Sequence, residues 1–331
     1  MFSVIIPLYN KAAYVEKAIQ SVLSQTFREF ELIVVDDGST DDSFANLQFT
    51  IYNLQFNDPE SYNKIRILEQ ENQGVSTTRN NGVKVAKYNY IAFLDADDWW
   101  ETTYLEEMKG LIEEFPVAGI YGSGYYIVKN GKRRNAPIGV DSGFEKGIIN
   151  YFQVYAKTLC MPLWTGATII KKSIFEAENG FKPKLKLGED FDLWVRVAMK
   201  NPVVFLNKQL ANYNQDVELI SRGVVEDKIY LPENHFIFNL EYLNSEEEIN
   251  LDLKILLDKL RIYTLQRYRL QNAFISEFKT EIKKVDFKNQ SISYSVGYFL
   301  PVSVIRAFFR LRKIASKLLK KNDKNNKTFI K

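Results

Sequence analysis

The sequence predicts an α/β fold in which a mostly parallel central sheet is flanked by helices and followed by a helical C-terminal extension. Three observations predict it. Apolar runs of strand length recur at residues 3–8, 30–36, 64–68 and 90–94. Segments with apolar residues at helical spacing lie between them. The runs are apolar at consecutive positions instead of alternating, as expected of parallel strands covered by helices on both faces.

In order along the chain, "SVIIPL" (3–8) is the first strand, and "AAYVEKAIQSVLSQ" after it sets Val15, Ile19, Val22 and Leu23 at helical spacing. "FELIVVD" (30–36) is the second strand; "STDDSF" opens a helix with Ser39 or Thr40 as cap, and Phe44, Leu47, Ile51 and Leu54 mark its apolar face. "KIRIL" (64–68) is the third strand, a helix is expected over 75–87, and "YIAFL" (90–94) is the fourth strand. After Asp98 the alternation loosens. A helix is expected near 103–115, followed in "AGIYGSGYYIVKNGKRR" by two strand segments with a turn at Asn130-Gly131, where antiparallel pairing enters. "TGATIIKKSIF" (165–175) reads as a strand running into a helix, and "GEDFDLWVRVAMK" (188–200) as a helix with Phe191, Leu193, Trp194 and Val197 on or near one face. "PVVFL" and "LANYN" read as two short closing strands. From about residue 226 the chain turns polar and helical, with Leu253, Leu256, Leu257, Leu260 and Ile262 on an amphipathic helix. The expected division is a domain over 1–225 and a helical, basic extension over 226–331.

With 331 residues, 46% of them hydrophobic, the chain can bury a substantial core. Cys160 is the only cysteine, which excludes an internal disulfide framework, favours a reducing compartment and leaves Cys160 as a small buried hydrophobe. The opening "MFSVIIPLYNK" carries no basic leader and no small-residue cleavage pattern, so it reads as a strand and a cytoplasmic location is expected. The formal net charge of +3 is uneven: residues 301–331 hold ten Lys/Arg and one Asp, a formal +9, which leaves −6 for residues 1–300. No nucleic-acid partner is expected.

In an open parallel sheet, ligands bind in the crevice beyond the carboxyl ends of the strands. Strand one ends in Pro7, Leu8, Tyr9 and Asn10, strand two in Asp36, Asp37, Gly38 and Ser39, and strand four in Asp95, Ala96, Asp97 and Asp98. Carboxylates this close raise one another's pKa unless a cation or hydrogen-bond donors neutralise them. Mg²⁺ or Mn²⁺ suits oxygen ligands, and Mg²⁺ commonly takes one or two carboxylates plus water and substrate phosphates. A phosphorylated, nucleotide-bearing ligand follows. The other reading of each aspartate is a turn or cap residue, and Asp98 could cap the next helix. A dehydrogenase would need a G-x-G-x-x-G turn after strand one, where "PLYNKAAY" has no glycine, and no G-x-x-x-x-G-K-[ST] loop occurs anywhere.

Four blocks in order, "SVIIPLYNKAAYVEKAIQSVLSQTFREFELIVVDDGSTDDS", "NQGVSTTRNNGV", "YIAFLDADDWW" and "KLGEDFDLWVRV", resemble a family 2 inverting glycosyltransferase with the GT-A fold over about residues 1–215. The resemblance implies a nucleotide-binding half over 1–100 and an acceptor-binding half over 101–225. It implies that Pro7 and Tyr9 line a nucleoside pocket, that Asp37 accepts a hydrogen bond from uracil, and that Arg79 approaches the base or diphosphate. Asp95 would meet ribose or sugar, Asp97 would coordinate Mn²⁺ or Mg²⁺ on the diphosphate, and Asp190 would deprotonate the acceptor hydroxyl. Glu189 and Trp164 are expected on the acceptor side. Taken alone, Glu189 and Asp190 could equally be acidic residues favoured at a helix start. Trp99 and Trp100 could stack on a sugar or uracil but read more readily as core, as does Trp194; His235 reads as structural. The Q-x-x-R-W signature of processive synthases is missing, with "LWVRV" near where it would stand, so single-sugar addition is expected.

The implied activity is transfer of a hexosyl or N-acetylhexosaminyl group from a UDP-sugar to a glycan or lipid-linked saccharide, as in bacterial surface polysaccharide assembly. Two other classes compete: a sugar-nucleotide nucleotidyltransferase, whose glycine-rich basic loop is not seen after strand one, and a non-catalytic glycan- or membrane-binding protein. The tail "PVSVIRAFFRLRKIASKLLKK" (301–321) places Val304, Ile305, Phe308, Leu311, Ile314 and Leu318 near one stripe among seven Lys/Arg. Such a helix fits peripheral contact with an anionic membrane; packing on its own domain, or on a second subunit in a homo-oligomer, fits the same pattern.

Overall fold

β1 (Phe2–Leu8) reads FSVIIPL and is buried at every position, as is β2 (Phe30–Asp36). A strand buried at consecutive residues needs cover on both faces, and the flanking helices supply it. α1 (Val15–Leu23) buries Val15, Ala18, Ile19, Val22 and Leu23, an i, i+3, i+4, i+7 stripe. α2 (Ser43–Asn57) buries Leu47, Thr50 and Leu54, with Phe44 and Ile51 half-buried against the same core. This computed structural model describes residues 1–217, 228–290, 292–307 and 311.

A short α3 (Pro59–Tyr62) leads into β3 (Ile65–Glu69), α4 (Val75–Val85) and β4 (Tyr90–Phe93). The remaining elements of this region are β5 (Trp99–Trp100), α5 (Tyr104–Glu114), β6 (Ile120–Lys129), β7 (Lys132–Asn135), β8 (Lys146–Ile149), α6 (Tyr151–Thr158), β9 (Thr168–Lys171), α7 (Lys172–Ala177), α8 (Glu189–Ala198) and β10 (Val203–Asn214). They form one sheet, ordered β3-β2-β1-β4-β9-β6-β10-β5, with β7 on β6 and β8 on β10. β3, β2, β1 and β4 are mutually parallel. β9 then runs antiparallel to both β4 and β6. The chain leaves β1 toward β2 and β3 and returns to its other side for β4. This reversal opens a crevice at the carboxyl ends of β1 and β4, where a doubly wound sheet binds ligands.

The expected turn at Asn130-Gly131 has φ of 53° and 68° at its two residues, the conformation that two-residue hairpins require. The two closing strands are instead one continuous β10, paired along β6 with register shifts between Leu206 and Ala211. Trp99-Trp100, expected only as core or stacking residues, is a strand paired with Asn212 and Ala211 of β10.

Two compact units divide the chain, residues 1–239 and 240–331. The first extends past the composition change near 225, because Leu187 forms a parallel bridge with His235, and Lys186 and Leu187 donate to Asn234. The second contains α9 (Asn244–Ile249), α10 (Leu251–Gln271), α11 (Ile275–Ile282) and α12 (Ile292–Phe299). α10 buries the expected Leu253, Leu256, Leu257, Leu260 and Ile262. Its Arg261 is buried against Glu247 and Glu281. Among the described residues no helix is long and apolar enough to cross a membrane. Phe308, Ile314 and Leu318 of the tail stripe lie outside the described residues.

Candidate active site

Three loops at the carboxyl edge of the sheet are tied together by their own polar side chains. After β1, Asn10 takes a φ of 51°, and its Oδ1 accepts the Thr40 amide at 2.8 Å. After β2, Asp36 accepts Ser39 Oγ at 2.6 Å and the Ser39 amide at 3.1 Å. Gly38 has a φ of 70°, a conformation costly for residues with a Cβ. Asp37 is buried, and Leu8 O accepts its amide at 2.8 Å. Its Oδ1 accepts Gln70 Nε2 at 2.7 Å and the Gln73 amide at 2.8 Å; its Oδ2 accepts the Gly74 amide at 2.9 Å. Four acceptor positions on a carboxylate and three donors leave one position on Oδ2. Pro7 is buried in register with Val35, while Tyr9 is 44% exposed.

The acidic turn after β4 starts where Ile5 O accepts the Leu94 amide, and it closes with the Asp98 amide donating to Asp95 O, both at 3.0 Å. Its three carboxylates have different partners. Asp95 Oδ1 accepts Arg79 Nη2 at 2.7 Å. Asp97 Oδ2 accepts Lys11 Nζ at 2.5 Å. Asp98 is buried and accepts the Asn214 amide from the end of β10 at 2.7 Å, so it anchors a strand, while the next helix is preceded by Thr103. Burial raises the pKa of Asp97; Lys11 works against this and Asp95 adds to it. Burial raises Asp98 further, with Asp97 and Asp95 pushing the same way.

α8 brings the second acidic pair. Gly188 precedes it at a φ of 76°, and a Cβ there would lie 2.2 Å from the Phe236 ring, so both backbone and packing require glycine. Glu189 Oε1 accepts Arg79 Nη1 at 3.1 Å. Burial, then Asp190, pushes the Glu189 carboxyl up to about 7 against the pull of Arg79. Asp190 Oδ1 accepts the Phe191 amide at 2.7 Å and its Oδ2 accepts Thr165 Oγ1 at 3.4 Å. Burial raises its pKa, opposed by the Phe191 amide and Arg79.

Arg79 joins the two acidic groups. It is buried on α4 with its guanidinium over the Phe181 ring. Burial opposes its charge, yet Asp95 and Glu189 outweigh burial and hold its pKa above the ordinary value. Asn80 fixes Phe181 by accepting its amide at 3.0 Å and donating to its carbonyl at 2.8 Å. The expectation for Arg79 was a contact to base or diphosphate; here both terminal nitrogens face carboxylates.

Trp164, expected on the acceptor side, packs between Tyr125 at 4.8 Å and Tyr213 at 5.2 Å, its ring tilted against both. A Cβ on Gly166 would come within 2.5 Å of its ring. Trp100 is core, stacked on Tyr104 with its Nε1 donating to Gly166 O, whereas Lys17 lies over the Trp99 ring. Trp194 and His235 are fully buried. Cys160 is half-buried, with its sulfur 3.4 Å from Tyr125 Oη. Lys11, Gln70, Thr165 and Tyr213 had no sequence signal, since each comes from a different loop or strand.

Among the described residues no three His, Cys, Asp or Glu side chains group as a metal cage. The donor set still fits a hard cation that brings most of its own ligands. Asp97 is a half-buried carboxylate already paired with a positive charge, and Mg²⁺ sites typically use one or two carboxylates plus phosphates and water.

The family model described as "Glycosyl transferase family 2" matches residues 3–177. An uncharacterized glycosyltransferase of Rickettsia felis is 30% identical over 294 residues, which cover 86% of this chain and 45% of that protein. Glycosyltransferase GlyA of Streptococcus pneumoniae is 31% identical over 64% of this chain and 30% of its own length. The chain spans less than half the length of these relatives. Residues 1–349 of S. aureus TarS, solved with UDP-GlcNAc, superpose with a TM-score of 0.63 at 21% identity over 87% of this chain and 82% of that one. The mannosyltransferase PcManGT of Pyrobaculum calidifontis, solved with GDP-Man and Mn²⁺, superposes with a TM-score of 0.51 at 14% identity over 95% and 80% of the two chains. These two likenesses show the GT-A fold.

Proposed function

The chain belongs to glycosyl transferase family 2, and from that premise we propose that it is an inverting, metal-dependent enzyme that moves one sugar from a UDP-sugar to a glycan or lipid-linked hydroxyl. The observation that carries the reading is the Arg79 bridge, which ties the acidic turn after β4, the donor side, to the start of α8, the acceptor side.

In this reading Pro7, Tyr9 and the remaining acceptor position of Asp37 receive the uridine. Asp95, fixed by Arg79, faces the ribose or sugar. Asp97 would hold the divalent ion, which when bound neutralises charge on the departing diphosphate. The acceptor hydroxyl attacks the anomeric carbon from the face opposite the diphosphate; the new C–O bond forms as the bond to phosphate oxygen breaks, and UDP leaves with the electron pair. A single displacement of this kind inverts the anomeric centre. Asp190 takes the hydroxyl proton. Arg79 already compensates Glu189, whereas Asp190 is held by one amide and one hydroxyl, and burial makes its carboxylate more basic than an exposed one. Trp164 and Glu189 border the acceptor.

The UDP-GlcNAc bound by TarS supports a UDP-sugar, and the Mn²⁺ of PcManGT supports a divalent ion. A panel of nucleotide sugars, assayed for nucleoside diphosphate release and for product anomer by NMR, tests the proposal. UDP release with an inverted product is expected, and chelator should abolish it. Retention of configuration would overturn the mechanism.

A further inference from the structure

Lys11 has no role in the reading above, yet it touches the residue on which that reading depends. It sits in the loop after β1, where Ser43 Oγ accepts its amide at 2.6 Å. That bond fixes the root of the side chain. The ammonium then crosses to the loop after β4 and meets Asp97 Oδ2 at 2.5 Å, with the two side chains only 15% and 17% exposed. The turn's other carboxylates are engaged elsewhere, Asp95 by Arg79 and Asp98 by the Asn214 amide.

A divalent ion bonded to the same carboxylate at about 2.1 Å would lie against the ammonium, and two cations that close repel strongly. Lys11 and the metal therefore compete for Asp97. The four-carbon stem of lysine lets its ammonium swing several ångströms while the backbone stays fixed. In the donor reading above, the metal on Asp97 holds the diphosphate, which brings a second anion to the displaced ammonium.

We propose that Lys11 is a resident cation that neutralises Asp97 in the donor-free protein and moves to the donor's diphosphate when a divalent ion takes Asp97. The proposal rests on the nucleoside-diphosphate reading of the site. It makes Lys11 a positioning and ligand-binding residue with opposite effects on two ligands.

Calorimetric titration of the full chain tests it, with Mn²⁺ alone, with UDP in chelator, and with UDP plus Mn²⁺, for wild type, Lys11→Met and Lys11→Arg. In Lys11→Met, Mn²⁺ alone should bind about tenfold tighter and UDP in saturating Mn²⁺ about tenfold weaker, the scale of one charge-assisted hydrogen bond, while UDP in chelator should change little. Lys11→Arg, which keeps the charge, should behave like wild type. A structural role would weaken both ligands together in Lys11→Met. Mn²⁺ affinity that is unchanged or reduced in Lys11→Met, while wild type binds UDP with Mn²⁺, overturns the competition alone. Wild-type protein that binds no UDP under either condition overturns the donor reading and this proposal with it.

Discussion

Glu189 and Asp190 are adjacent carboxylates with different electrostatic surroundings, and the difference is measurable. The Glu189 carboxyl ionises near its ordinary 4.5 in the unfolded chain but is pushed up to about 7 in the folded site, first by burial and then by Asp190. Between those pH values the unfolded chain releases the proton and the folded site keeps it, so this group's contribution lowers stability as pH rises from about 4.5 to about 7. Urea unfolding of ligand-free protein across that interval should show a shallower loss in Glu189→Gln than in wild type; an unchanged slope would contradict the assignment. Asp37→Asn places an amide among three donors and should cost about 1–3 kcal/mol, read by the same unfolding curves. The aspartates were legible in the sequence because they cluster at strand ends and fall in three of four ordered blocks. Lys11, Thr165 and Tyr213 were not, since an ion pair across 86 residues leaves no local pattern.

At the scale of elements, α8 aims both acidic residues and Gly188 sets its entry. Gly188→Ala forces a Cβ into a left-handed backbone and to 2.2 Å from the Phe236 ring. A loss of about 1–3 kcal/mol is expected, and weaker turnover should accompany it because α8 would shift. Wild-type stability in this variant would show that the helix entry is adaptable. The central alternation was readable from β1 and β2 because strands buried on both faces are apolar throughout. β8 and α6 were not anticipated. β8 has only four residues of mixed exposure, and α6 begins from a local cap in which Asn150 accepts the Gln153 amide. β5, at two residues, exists only through its pairing with β10.

At the scale of the whole molecule, the site lies within residues 1–239, while the net positive charge gathers beyond 300. If the tail contacts membrane, intact protein should float with anionic liposomes and a 1–295 truncation should not; equal, negligible flotation would set that role aside. The account's central claim is glycosyl transfer from a UDP-sugar with Asp190 as base. Its most direct test compares wild type with Asp190→Asn for acceptor-dependent UDP release and for UDP affinity in Mn²⁺. Turnover should fall about 10²–10⁴-fold, the usual worth of a general base, while UDP affinity stays near wild type. Wild-type turnover in Asp190→Asn would contradict the claim.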